Sequence, residues 1–118
     1  MWHTICMEAR KLRWAKTYEA GESELITLLE AQGIEAERWM AEEFEYFEPH
    51  VHEKNKRIWC AEGSITFLIN GDKTIPLQAG DGLDMPANTI HEANAGFAGC
   101  ICYESPPESQ NPVVPINQ

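Results

Sequence analysis

A chain of 118 residues has room for one domain with a hydrophobic core of its own, and none for a second. Its composition, 43% hydrophobic and 24% charged, excludes an extensively disordered protein. Nineteen acidic residues against nine basic ones give a net charge of −10. Because nucleic acids and anionic membranes attract clustered Lys and Arg, this balance predicts neither as a partner.

The sequence also bears on the compartment. No apolar run approaches the roughly 20 residues of a membrane span. Residues 1–8 lack the basic and apolar regions of a secretory signal, so we expect a cytoplasmic protein. Cys60, Cys100 and Cys102 sit within apolar runs, which predicts buried free thiols rather than disulfides.

One helix is predicted, over residues 23–32. Ser23 is a suitable N-cap, and Gly33 supplies the left-handed residue that commonly ends a helix. The lead-in before the helix, residues 9–18, is predicted to be irregular or strand-like. The apolar face of the helix comprises Leu25, Ile26, Leu28 and Leu29.

From residue 34 onward the patterns predict β-structure. Asn70-Gly71 between two alternating segments is the strongest short signal for a hairpin. An acidic aromatic stretch, 42–48, ends at Pro49, and the last residues, 105–118, carry four prolines. Short strands at even spacing indicate a sandwich or closed barrel. The predicted strands are 34–41, 58–61, 65–69, 74–77, 83–85, 90–93 and 97–103.

Three histidines stand where a metal site would need them. His50 and His52 lie two apart on a predicted strand, so their side chains project from one face. His91 lies on a later strand, just after a turn that contains Pro86. If the barrel closes, the three imidazoles can converge inside it. Imidazole suits Zn, Fe, Cu and Ni, and three donors leave coordination positions open for a reactant.

The spacing around these histidines resembles the two motifs of the cupin superfamily. The first motif is represented by His50, His52 and Gly63, with Lys56 at the position that cupins give to a metal-binding Glu. The second motif is represented by Gly80, Pro86 and His91, with Asn88 for its second glycine and Asn94 one residue short of the usual Asn. The resemblance covers residues 34–104.

This resemblance implies a small single-domain cupin, all-β with one short N-terminal helix. Its fold would be a double-stranded β-helix, or jelly-roll barrel, like that of RmlC-like proteins. The implied divisions are 1–33 as lead-in and helix, 34–104 as barrel, and 105–118 as a Pro-rich tail. A divalent Fe, Mn, Zn or Ni ion on the three histidines, dioxygenase or isomerase chemistry on a small polar metabolite, and a homodimer are further implications.

Lys56 leaves three alternatives open, since an ammonium group repels a divalent cation. The lysine can point away and leave a three-His metal site. Another carboxylate can replace the missing Glu, and Glu48 has the strand parity of His50, whereas Glu53 does not. Alternatively, Lys56 takes the place of the metal, and the protein is a non-catalytic module that binds an anionic small molecule.

Two further side chains are candidates for the pocket. Cys60 shares strand parity with Lys56 and would line the site if both lie on one strand. Lys56 itself would orient a substrate carboxylate or act as the catalytic acid or base. Cys100 and Cys102 share one face of the last strand and are expected to be core residues.

Overall fold

A computed structural model describes residues 8–15, 21–106 and 114–115 of the chain. Within these residues the protein is mostly β with a single helix, as the sequence predicts. Cys6 and residues 16–20 of the N-terminal segment lie outside the described residues, as does most of the predicted tail. The elements are β1 (Arg10–Arg13), α1 (Glu22–Ala31), β2 (Glu37–Ala41), β3 (Tyr46–His50), β4 (Lys56–Ile69), β5 (Lys73–Gln78), β6 (Asp81–Met85), β7 (His91–Ser105) and β8 (Val114–Pro115).

The described strands form one antiparallel sheet whose order is β2-β7-β4-β6-β1-β8, with β3 also paired to β7 and β5 to β4. β4 and β7 pair with each other along most of their length. β4 also pairs with β6 in its first part and with β5 in its last part. β7 likewise pairs with β3 in its first part and with β2 in its last part. At the N-terminal end of the chain, β1 pairs with β6, and Arg13 lies opposite Asp81.

Two pairs of predicted strands are single strands in the structure. The segments predicted at 58–61 and 65–69 are both parts of β4, and those at 90–93 and 97–103 are both parts of β7. Gly63 does not end a strand but accompanies a register shift, with φ of +77°. A Cβ there would lie 2.0 Å from the carbonyl oxygen of Gly99. Gly63 and Gly99 therefore permit a bend at which the two backbones are in close contact. From the sequence pattern alone, this bend resembles the end of a strand.

Helix α1 begins one residue before the predicted N-cap, and its observed N-cap lies two residues before the predicted one. Gly21 is the N-cap, and its backbone N–H donates to the side chain of Glu24 at 3.0 Å. Ser23 lies inside the first turn, so the prediction of Ser23 as the cap is wrong. The acidic side chain three residues after the cap accepts from the N–H of the cap residue, which is one half of a capping box, and Gly21 has no side chain to supply the other half.

Gly33 ends the helix as predicted, with φ of +69° and open space where a Cβ would stand. We expect Gly33→Ala to destabilise the protein by about 1 kcal/mol, because alanine is strained in the left-handed conformation. Thermal unfolding would report this as a Tm lower by about 4 °C. Gly33→Asn is the matched control, since asparagine tolerates that conformation, and an equal loss in both variants would contradict the explanation.

Residues 57–61 of β4 are buried on both faces of the strand, which explains the unbroken apolar run at residues 58–61. Ile58 and Cys60 belong to the core inside the barrel. Trp59 and Ala61 point the other way and pack with Leu25 of α1 in a second cluster. The helix thus covers the outer face of the sheet, and the opposite face is left to line the barrel interior.

Candidate metal centre

The structure brings His50, His52 and His91 together. His50 ends β3 and His91 begins β7, and the two are directly paired across the strands. His52 follows in the loop after β3 rather than on a strand, so strand parity is not what aligns it with His50. The ring centroids of His50 and His91 are 4.2 Å apart. The ring centroid of His52 lies 4.9 Å from that of His50 and 5.2 Å from that of His91.

Turn geometry holds the loop of His52 in place. The backbone N–H of Asn88 donates to the carbonyl of His52 at 2.8 Å. Asn88 has φ of +62°, the conformation for which glycine is usual at this position of the second cupin motif. Asparagine is among the few other residues that tolerate it, so the substitution preserves the turn.

Two hydrogen bonds determine which nitrogen faces a ligand. Nδ1 of His50 lies 2.7 Å from the carbonyl oxygen of Glu48, and Nδ1 of His91 lies 2.9 Å from that of Thr89. A carbonyl oxygen only accepts, so in the neutral rings each Nδ1 carries the proton and Nε2 keeps its lone pair. Such bonds orient metal-binding histidines in general.

The three donors are close enough to share an ion. One nitrogen from each ring lies within 4.8 Å of the others. Since Zn–N bonds are about 2.0–2.1 Å, two nitrogens on one ion lie at most about 4.2 Å apart. The most widely spaced of the three nitrogens would therefore have to move closer together when an ion binds. The residues therefore fit a divalent metal of the type that imidazole prefers.

Burial lowers the pKa of His91, and the nearby His50 and His52 lower it further, against a raising effect of the hydrogen bond to Thr89. Burial also lowers the pKa of His52, with Lys56 as the next cause. Both shifts keep imidazole neutral near pH 7, and the neutral ring is the form that binds metals.

The lowered pKa of His91 predicts a pH dependence of stability in the metal-free protein. The unfolded chain takes up a proton near pH 6.5, the ordinary pKa of histidine, whereas the folded protein resists protonation of His91 until a lower pH. We therefore expect the free energy of unfolding to fall as the pH drops below about 6.5. Urea titrations at pH 7.5 and 5.5 test this. The decrease should be smaller in His91→Gln, and an equal decrease would contradict the assignment.

Lys56 lines the same cavity but is not an isolated charge. Its Nζ donates to Oε1 of Glu104 at 3.0 Å, and both side chains are partly buried. Glu104 is the carboxylate that the sequence reading missed, because the last strand was predicted to end at residue 103. Glu104 shares the strand parity of Cys100 and Cys102, a signal that would have placed it on the inward face but not beside Lys56.

The other candidate residues lie elsewhere. The side chain of Cys60 is fully buried in the core and does not line the cavity, whereas Ile58 on the same face of β4 does. Glu48 is exposed and contributes only its carbonyl, because the register shifts between Phe47 and His50. The prediction of Cys60 and Glu48 as pocket side chains therefore fails on geometry. Cys100 and Cys102 are core residues, with Sγ atoms 3.8 Å apart.

The histidines open onto a cavity of about 350 Å³. Trp39 and Phe47 pack edge to face on its wall, with centroids 5.9 Å apart. Phe47 belongs to the acidic aromatic stretch, which forms the edge strand β3 rather than a break at Pro49. The lining residues are Trp39, Met40, Phe47, His50, His52, Lys56, Ile58, Ile65, Phe67, Met85, His91, Ala93 and Glu104.

Several solved structures share this architecture. A DUF861 family protein from Thermotoga maritima superposes with a TM-score of 0.58 and 13% identity, over 83% of this chain and 98% of that one. A cupin superfamily protein from Desulfitobacterium hafniense gives 0.53 and 13%, over 98% and 84%. Acireductone dioxygenase from Bacillus anthracis, with a cadmium ion in its active centre, gives 0.56 and 14%, over 92% and 82%.

These similarities show that the chain has the cupin fold, a jelly-roll barrel, and they confirm the fold predicted from the two motifs. No family model matches the sequence, and no curated protein matches it. Among the described residues, no helix is long and apolar enough to cross a membrane.

Proposed function

We propose that the protein is a metal-dependent cupin enzyme that binds one divalent Fe, Mn, Zn or Ni ion on His50, His52 and His91. The observation that carries the proposal is the convergence of three imidazoles, two of them with Nδ1 on a backbone carbonyl, at the wall of a cavity. A bound ion with open positions would supply Lewis-acid or redox chemistry to a substrate in that cavity.

The side chains around the histidines would perform the remaining tasks. Lys56 would hold an anionic group of the substrate, and its Nζ, already hydrogen-bonded to Glu104, would donate a proton as that group reacts. The apolar wall around Trp39 and Phe47 would exclude water from the reacting atoms. The cadmium-containing dioxygenase with the same fold favours oxygenase chemistry, and an isomerase on a small polar metabolite is the other class we consider.

An experiment on the ferrous protein tests the proposal. Metal-free protein is loaded anaerobically with Fe²⁺, its iron content is measured, and nitric oxide is added. We expect near-stoichiometric iron and a nitrosyl EPR signal, because nitric oxide binds ferrous ions that have an open position. Failure to bind iron, manganese, zinc or nickel would overturn the proposal, and iron without a nitrosyl signal would indicate a closed structural site.

A non-catalytic binding module is the second candidate, and one observation favours it. An ammonium group, Lys56, lines the cavity at the position where cupins usually place a carboxylate ligand. Such a protein would bind an anionic small molecule without metal. The absence of metal binding in the experiment above, together with retained binding of anions, would favour this alternative.

A further inference from the structure

The cavity is divided chemically into two regions. Its polar residues are the three histidines, Lys56 and Glu104. The other eight of its thirteen lining residues are apolar, among them Trp39, Phe67 and Met85. A small, fully polar metabolite would leave this apolar surface in contact with water, whereas a ligand with an apolar body would cover it.

Trp39 brings a hydrogen-bond donor to the wall of the cavity. Its Nε1 is buried and has no hydrogen-bond partner among the residues that the structure describes. The other described tryptophans differ, since Nε1 of Trp14 donates to the carbonyl of Cys60 at 3.0 Å and Nε1 of Trp59 to Oγ of Ser105 at 2.9 Å. A buried donor without an acceptor is unfavourable. Because this nitrogen has almost no accessible surface, a ligand oxygen beside Trp39 would reach it only after a small rotation of the indole ring, and the resulting hydrogen bond would be stabilising.

Lys56 supplies further donors to the same cavity. An ammonium group has three N–H donors, and Glu104 accepts one of them at 3.0 Å. To pair with the two remaining donors and with the indole N–H of Trp39, a ligand must carry hydrogen-bond acceptors. A carboxylate satisfies this requirement because it accepts hydrogen bonds and carries the charge opposite to that of Lys56.

We propose that the cavity binds a small carboxylic acid with an apolar, preferably aromatic, body. The carboxylate contacts Lys56, and the body lies against Trp39, Phe67 and Met85. Trp39 selects the ligand by donating its indole N–H to a ligand oxygen. This inference rests on the proposed function only in placing the acid group beside the metal-binding histidines.

Calorimetric titrations with three simple probes test the ligand class: 3-phenylpropionate, propionate and 3-phenylpropanol. Propionate lacks the aromatic body, and the alcohol lacks the charge. We expect 3-phenylpropionate to bind about tenfold more tightly than either, since each comparison removes one of the two contacts. Equal affinity for 3-phenylpropionate and propionate would overturn the inference.

Variants test the role of Trp39. Trp39→Phe keeps an aromatic ring but removes the N–H, and we expect about a tenfold loss of affinity for 3-phenylpropionate, the effect of one hydrogen bond to a charged group. Trp14→Phe is the matched control, because Trp14 contacts the backbone of β4 and does not line the cavity. Its affinity should equal that of the unmodified protein. If the two variants bind alike, Trp39 does not select the ligand.

The titrations are performed on metal-free and on zinc-loaded protein, so that two failures can be told apart. If none of zinc, iron, manganese and nickel binds but 3-phenylpropionate is still preferred, the proposed metalloenzyme fails and the ligand class stands. If zinc binds to the histidines but the preference is absent, the ligand class fails and the metal site stands.

Discussion

Replacing His91 with alanine should reduce bound metal from about one ion per chain to almost none. His91 is the most buried of the three histidines, at 3% exposed, and its Nδ1 is held by the Thr89 carbonyl. Loss of one of three donors to an ion typically costs far more than the 10–100-fold effect of losing an outer hydrogen bond. Elemental analysis of protein reconstituted with Fe²⁺ or Zn²⁺ measures the change directly.

Two further variants make this result interpretable. His50→Ala should lose metal as well, and because His50 is exposed, its loss should leave the fold intact. Glu53→Gln is the control, since Glu53 is an exposed carboxylate next to His52 but belongs to none of the described contacts of the cluster. Full metal content in His91→Ala would show that the ion binds elsewhere.

Replacing Lys56 with glutamine should tighten metal binding by about tenfold, or ~1.4 kcal/mol. The change removes a positive charge close enough to lower the pKa of His52, and it leaves the Glu104 carboxylate in the cavity without its ammonium partner. Both effects favour a divalent cation. Competition with a chelator of known zinc affinity would give the dissociation constants of the two proteins.

Lys54→Gln is the matched control for this prediction. It removes the same charge from the loop before β4, but Lys54 is exposed and does not line the cavity. Its effect on zinc affinity should be small, because solvent and salt screen exposed charges. If both variants bind zinc as the unmodified protein does, the Lys56–Glu104 pair already neutralises itself, and Lys56 has no influence on the ion.

The two motif spacings were sufficient to predict the cupin fold and to select His50, His52 and His91 from the sequence. They succeed because the residues they specify are those that a barrel needs at its turns and inside its cavity. Even a departure from the motif follows the same physics, since Asn88 adopts the left-handed conformation of the glycine it replaces.

The partner of Lys56 could not be predicted with the same means. Glu104 lies far from Lys56 in sequence, and only the pairing of β4 with β7 brings the two together. The placement of Cys60 failed for a related reason, because parity says which face a residue occupies but not how deep it lies. The strand boundary predicted at Gly63 was wrong, because glycine is common both at a bend within a strand and at the end of a strand.

The pairing of β1 with β6 has a consequence for how the chain folds. Arg13 and Asp81, bonded at 2.8 Å, are separated by 68 positions in sequence. Long loops must close before such contacts form, and proteins dominated by them fold in milliseconds to seconds rather than microseconds. His50 and His91 face the same constraint, so the complete three-histidine site arises only once the distant strands have met. A metal that binds this site therefore stabilises the finished barrel and offers no comparable help to the unfolded chain.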